Sequence, residues 1–383
     1  MRRGVLCLLC ALWLLCMPFA SAFAAERPQV SAQAAALMVL GSGELLYEKN
    51  AHTRRSMAST TKIMTALLAL EAQTPQRELT VTDAMLRVEG TAMGLAAGDS
   101  VTLSGLAYGM LLSSGNDAAN CVAFALGGDL PGFAAMMNRR AAQIGMKNSN
   151  FVTPSGLDAP EHYSTAYDMA LLGCAALENV QFAKICASQS AHVRFGNPPK
   201  LYTLYNHNRL LRSYAGSVGI KTGFTKKSGR CLVSAAERDG VTLVAVTLNA
   251  PNDWEDHRKL LDYGFARVQR IAPENALDGL QLPIAGSDKQ SVPLESGIPP
   301  FWNAANPPAE VQTEIRLRPF EYAPLQKGKI VGELRYFAKG KLLCAVPIVT
   351  AEEARRYIPP SPAPEPEAPG FWAKLREKLK IRI

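Results

Sequence analysis

The chain has 383 residues, more than the roughly 100–200 of a typical single domain, so two domains are expected. With 48% hydrophobic and 19% charged residues it has the composition of a globular protein able to build a sizeable core, which argues against a disordered chain. The net charge of +8 fits work near an anionic surface, but no basic motif with interleaved aromatics supports nucleic acid as a partner.

At the N-terminus, Arg2 and Arg3 precede an apolar run from Gly4 to Met17, and small residues follow in Ala20-Ser21-Ala22 and Ala22-Phe23-Ala24. Charge, apolar stretch and small-x-small site stand in secretory order, and the run is too short for a comfortable membrane span. Residues 1–24 therefore read as a signal peptide cut near Ala22 or Ala24. Three cysteines fall inside it. The five others, Cys121, Cys174, Cys186, Cys231 and Cys344, are odd in number, lack tight spacing and sit among apolar neighbours, so buried thiols are expected rather than a disulfide framework. The histidines at 52, 162, 192, 207 and 257 show no metal-ligand spacing, and no metal is expected.

Next, "AAALMVL" and "ELLYEKNA" flank "GSG", which predicts a hairpin. Helical patterning follows from about Ser59 to Leu177, as in "TTKIMTALLALEA", "LSGLAYGMLLSS" and "NDAANCVAFALG". Strands return at "GRCLVSAAE" and "VTLVAVTLNA", joined through Asp239-Gly240, and "WEDHRKLLDYGFARVQ" reads as a closing helix. Strands at both ends of a helical block predict one sheet built from distant segments, with helices packed against it. From about Ile271 the texture changes to short alternating runs broken by Pro and Gly, a small all-β module whose clearest turn is "AKGK". "IPPSPAPEPEAPG" is an extended proline-rich linker. In the last segment, "FWAKLREKLKIRI", Phe371, Leu375, Leu379 and Ile383 recur every four residues among five basic residues. As a helix it can lie in a membrane interface and attract anionic lipid, although residues from Ala373 onward also alternate with strand period.

Three short motifs carry the chemistry. Ser59 and Lys62 form S-x-x-K at the start of an apolar helix, where residues spaced i, i+3 share one face and a hydroxyl can meet an amine. Ser114-Gly115-Asn116 and Lys221-Thr222-Gly223 follow in that order. Alone, Ser59 could be a helix cap, Lys62 a solvated surface lysine and "SSGND" a capping loop. S-x-x-K followed by an S-D-N-type triplet and K-T-G is the recurrent signature of penicillin-interacting serine enzymes.

On these motifs the chain resembles the low-molecular-mass penicillin-binding proteins that act as serine-type D-alanyl-D-alanine carboxypeptidases. "ASTTKIMTALLALE", "MLLSSGNDAAN", "NSNFVTPSGLDAPEHYSTAYDMALL", "YNHNRLL", "GIKTGFT" and "LLDYGF" are similar to that family's text in its order. The resemblance implies an α/β (α+β) penicillin-binding/β-lactamase-like transpeptidase domain, an antiparallel sheet with helices on both sides, over residues 25–268. A small all-β domain over 269–350, a linker over 351–370 and a membrane-associating tail over 371–383 would follow. It implies Ser59 as nucleophile, Lys62 as general base, Ser114 relaying a proton to the leaving group, and Asn116 holding Lys62 or the substrate amide. Lys221 would supply a second cation, Thr222 with Thr225 would bind the terminal carboxylate, and Gly223 would let the substrate strand lie close. The amides of Ser59 and Phe224 would form the oxyanion hole. Peptidoglycan stem peptides would be the substrate and β-lactams covalent inhibitors, without cofactor, on the outer face of a bacterial cytoplasmic membrane or in the cell-wall space.

The sequence departs from that pattern at one place. Many family members carry an arginine before the closing helix that helps bind the substrate carboxylate; here the segment reads "APNDWEDHRKLLDYGF", with Trp254 or Asp253 in its place and Arg258 one turn later. Glu161 and His162 invite an acid/base reading, but their stretch is a structural loop in the carboxypeptidases, and neither is expected to be catalytic. The alternatives are a D,D-endopeptidase cutting cross-links, a β-lactamase and a non-catalytic cell-wall binder.

Overall fold

The segment "AAALMV" is apolar throughout, and it forms a strand, β1 (Ala34–Val39), that is buried on both faces. It belongs to a computed structural model of the protein that describes residues 26–298, 301–306 and 308–359 together with Gly370, Lys374, Leu375 and Lys378. The signal peptide expected over 1–24 lies outside these residues, as do half of the linker and most of the tail. The chain divides into two compact units, one reaching to Ile271 and taking in Trp302–Pro307, the other formed by Ala272–Phe301 and the chain from Pro308.

In the first unit β1 is followed by β2 (Leu45–Lys49), a 3-10 turn (Ala58–Thr61), α1 (Lys62–Glu71), β3 (Glu78–Thr80) and β4 (Ser100–Thr102). Helices α2 (Leu103–Leu111), α3 (Asn116–Gly127), α4 (Leu130–Ile144), α5 (Ala166–Glu178) and α6 (Val180–Ala187) come next. Then come β5 (Ser190–Gly196), β6 (Pro199–Tyr205), α7 (Leu210–Ser213), β7 (Ser217–Thr225), β8 (Gly229–Arg238), β9 (Val241–Leu248), α8 (Asp253–Phe265) and β10 (Gln269–Ile271). Helix ends follow local chemistry. The Asp129 carboxylate accepts from the Gly132 amide at the start of α4, and Gly145 ends that helix at φ 91; such a cap contributes about 1 kcal/mol.

The main sheet is antiparallel in the order β2-β1-β9-β8-β7. Strand β1 lies between β2 and β9, with Ala34 opposite Leu248, so the two ends of the catalytic region close one sheet. Its even-numbered side chains, Ala34, Ala36 and Met38, enter one core with residues of α1 and α5, and its odd-numbered ones enter another with Leu260 and Leu261 of α8. Period-2 alternation thus puts helices on both faces. The hairpin expected at Asp239-Gly240 joins β8 to β9, both turn residues having positive φ.

A second sheet, β3-β4-β5-β6, was not expected from the sequence. Strands β3 and β4 have three residues each, too few to show a period, and they interrupt the helical text. The all-β region holds β11 (Gln281–Ala285), β12 (Ser291–Ser296), β13 (Trp302–Ala304), β14 (Gln312–Leu317), β15 (Glu321–Tyr322), β16 (Ile330–Ala338) and β17 (Lys341–Thr350). Strand β13 pairs with β10 in the first unit. The other six form one sheet, β14-β16-β17-β12-β11-β15, in which only β11 and β15 run parallel. The expected architecture, an antiparallel sheet between helices and then a small all-β region, is the one observed.

Candidate active site

The S-x-x-K segment straddles a change of helix type. Ser59 lies in the 3-10 turn, and Lys62 is the first residue of α1. Ala58, just before the serine, has φ 48, a left-handed value uncommon for a residue with a side chain. Beyond it the apolar residues Ile63, Met64, Ala66 and Leu67 are fully buried, and so is Lys62 itself. A solvated surface lysine is thereby excluded.

Lys62 Nζ has three neighbours: Ser59 Oγ at 2.9 Å, Asn116 Oδ1 at 2.6 Å and the Ser155 carbonyl at 2.7 Å. Asn116 is oriented by its own amide nitrogen, which donates to the Glu89 carbonyl at 2.6 Å. Two of the three neighbours are therefore pure acceptors, and only the serine hydroxyl can exchange roles. A neutral Lys62 amine donates its two protons to Asn116 and Ser155 and turns its lone pair to the hydroxyl of Ser59. The neutral form is favoured: burial holds the lysine well below its ordinary value of 10.5, and the nearby Lys221 ammonium pushes the same way, against the pull of Asp117.

Lys221 is also buried, and desolvation brings it down to about 7. It sits in β7, where its ammonium donates to the Thr222 carbonyl at 2.9 Å. Two residues on, Gly223 lies against the 3-10 turn: a Cβ there would stand 3.0 Å from the backbone nitrogens of both Ser59 and Thr60. Glycine at this position lets β7 approach the nucleophile's own amide, the constraint that K-T-G places on this turn.

Ser114 has φ 61 in the loop between α2 and α3. The residue after Asn116, Asp117, accepts from the backbone N–H groups of Met93, Gly94 and Leu95. These bonds fix the preceding loop, while the Asn116 amide donates to the Thr91 carbonyl at 2.7 Å. The "SSGND" text thus builds more than a helix cap.

Ser59, Ser114, Thr222, Gly223 and Phe224 line one cleft of about 350 Å³. Lys62, Asn116 and Lys221 stand behind this wall. Thr225 also lies outside the lining, and its hydroxyl bonds Ser228 Oγ at 3.0 Å within the turn to β8. The cleft also receives Thr91, His207, Arg209, Arg230, Asp253 and Trp254, none of which was expected as a site residue from the sequence. Ser155 was likewise missed, and a backbone carbonyl leaves no side-chain signal.

The loop that carries Ser155 is tied down by His162. Its Nδ1 accepts from the Val152 amide at 3.0 Å, so Nε2 carries the hydrogen and donates to Thr61 Oγ1 at 3.0 Å. Burial lowers this histidine to about 4, so it is neutral and serves as a strut. Its contacts agree with the expectation that it is not an acid or base. His257, lowered by burial to about 3, bonds Ser234 and Thr247 inside the sheet. Among the described residues no cluster of His, Cys, Asp and Glu could hold a metal ion, and the five described cysteines are free.

A sequence model of the family described as D-alanyl-D-alanine carboxypeptidase, Peptidase_S11, matches residues 21–252. The chain belongs to this family. It is a family of serine-type hydrolases. D-alanyl-D-alanine carboxypeptidase DacF of Bacillus subtilis is 30% identical over 85% of this chain and 86% of its own length. DacC of Escherichia coli is 33% identical over 87% of each. Among solved structures, penicillin binding protein 5 from Haemophilus influenzae matches with a TM-score of 0.61 at 28% identity, over 86% of this chain and 99% of that one. The Streptomyces K15 DD-transpeptidase matches with a TM-score of 0.60 at 32% identity, over 63% of this chain and 99% of that one.

Proposed function

We propose that this carboxypeptidase-family protein removes the terminal D-alanine from peptidoglycan stem peptides through an acyl-enzyme on Ser59. The observation that carries this reading is the buried Lys62 amine, 2.9 Å from the Ser59 hydroxyl with its other two neighbours fixed as acceptors. As Ser59 Oγ bonds to the carbonyl carbon of the penultimate D-alanine, its proton passes to Lys62 Nζ. The charge that develops on the carbonyl oxygen is received by the Ser59 and Phe224 amides, and Gly223 presents no side chain against the Ser59 amide. Ser114 relays the proton to the departing amine, free D-alanine leaves, and water hydrolyses the ester to return Ser59. In its protonated form Lys221 puts positive charge behind the cleft, which favours a carboxylate in it and, after burial, pushes Lys62 further toward its neutral form. A β-lactam acylates the same serine.

The reading extends to location. The secretory pattern of residues 1–24 places the mature protein outside the cytoplasm. The amphipathic segment 371–383 would hold it at the outer face of the cytoplasmic membrane, with the all-β domain and the linker as spacers. Deleting 371–383 should move the protein from the membrane pellet to the soluble fraction; a truncated protein that still pellets would refute the anchor.

The test of the activity is D-alanine release from a soluble pentapeptide ending in D-Ala-D-Ala, wild type against Ser59→Ala. Release confined to the wild type supports the reading, as does an acyl adduct on Ser59 after a β-lactam. Absence of release from folded wild type, with cleavage of cross-linked muropeptide in its place, would turn the assignment to an endopeptidase.

A further inference from the structure

The carboxypeptidase reading leaves the substrate's C-terminal carboxylate without the arginine that the family carries before the closing helix. The cleft supplies guanidinium from elsewhere. Arg230 lies on β8, directly across the hairpin from Phe224 of β7, and lines the same cleft as Ser59 and Thr222. It is held from behind by Asp253, whose side chain is 3% exposed: Nε donates to a carboxylate oxygen at 2.9 Å, and one Nη is ion-paired to the same oxygen at 2.8 Å. The Trp254 ring lies below, 5.7 Å from the guanidinium carbon. The two residues in the place of the family's arginine are thus the two that hold Arg230.

A guanidinium presents five N–H groups in a planar fork. Asp253 occupies the edge formed by Nε and one Nη, and the edge formed by the two terminal nitrogens remains. That edge matches a carboxylate with two parallel hydrogen bonds. A buried aspartate and an indole face fix the plane of an arginine whose side chain is 43% exposed, so little rotamer entropy remains to be lost on binding.

We propose that Arg230, positioned by Asp253 and Trp254, receives the substrate's terminal carboxylate and sets the preference for a free C-terminus; this rests on the carboxypeptidase reading. The carboxylate-binding cation has moved from the loop before α8 to the strand beside K-T-G, and the vacated position has become its support. Thr222, from the opposite strand, completes the receptor.

The experiment compares a pentapeptide ending in D-Ala-D-Ala with its C-terminal amide. Wild type should cleave the acid faster, and Arg230→Gln should lose about 10- to 100-fold in kcat/KM on the acid, the scale of a charge-assisted hydrogen-bonded contact, so that the acid-to-amide ratio collapses. Arg230→Lys should restore part of the rate, because it keeps the charge and loses the fork. Since Arg230→Gln leaves a buried aspartate unpaired, Arg230→Gln with Asp253→Asn is measured beside it, and both are melted to confirm folding. An unchanged ratio in the folded variants would overturn the proposal, as would a collapse in Arg209→Gln with the ratio retained in Arg230→Gln. Acylation by a carboxylate-bearing β-lactam against its methyl ester gives the same comparison without D-alanine release. Failure of the carboxypeptidase reading is thereby distinguishable from failure of the receptor.

Discussion

The two ends of the cleft are built on opposite plans. At the nucleophile end, Lys62 and Asn116 are buried, their side-chain polar atoms are hydrogen-bonded, and reactivity comes from withholding water from a lysine. At the other end, Arg230 is half-exposed and keeps its charge, with buried Asp253 behind it. Proton transfer needs a group close to changing its charge, which desolvation provides; recognition of an anion needs one that never does, which arginine provides. One cleft therefore combines a base made weak by burial with a cation that remains partly solvated.

The largest expected effect lies at the buried end. Lys62→Met should lower the rate of Ser59 acylation by about 10²- to 10⁴-fold, the usual worth of a general base. Lys62→Arg should fall as far, because it keeps the charge but cannot accept a proton. Stopped-flow acylation by a β-lactam measures both, and an active arginine variant would refute base catalysis by Lys62. Gly223→Ala comes next. Its Cβ must displace the Ser59 and Thr60 amides by a few tenths of an ångström, and kcat should fall about 10- to 100-fold, an oxyanion-hole effect, with little change in melting temperature.

The acid limb of kcat/KM tests the lysine pair. Activity requires neutral Lys62 and is lost as pH falls through its depressed value. Lys221 lowers that value, so Lys221→Met should let it rise and move the limb to higher pH by on the order of one unit. A limb that stays in place would mean another group governs it. The smallest effect is that of salt. Raising ionic strength from about 0.1 to 1 M shortens the screening length from about 10 to 3 Å, so KM for the acid peptide should rise several-fold while kcat barely changes. If kcat fell instead, charge exposure would not separate the two ends.

The same contrast explains what could be read from the sequence. Ser59 with Lys62, Ser114 with Asn116, and Lys221 to Gly223 were legible because each is a local pattern. A helix turn, a loop or a strand fixes those distances over a few residues. Arg230 meets Asp253, Trp254 and Thr222 only through strand register and the approach of α8, which no short window contains. A signal did exist: the residue opposite Phe224 follows from the turn between β7 and β8, had its length been taken into account. Thr225 shows the converse: its closeness to K-T-G in sequence gave no sign of its hydrogen bond to Ser228 in that turn. The main sheet was legible from alternation and the Asp-Gly turn, whereas β3 and β4 were too short to show any period.

The pairing of β1 with β9 also bears on how the molecule is made. Ala34 finds its partner only when Leu248 has left the ribosome, so the central sheet cannot be completed before that point of synthesis. Contacts of such long sequence separation fold slowly, and the sheet is among the last parts of the catalytic region to close. Under the export proposed from residues 1–24, the topology that brings K-T-G to the serine also delays the sheet and so favours passage of an unfolded chain.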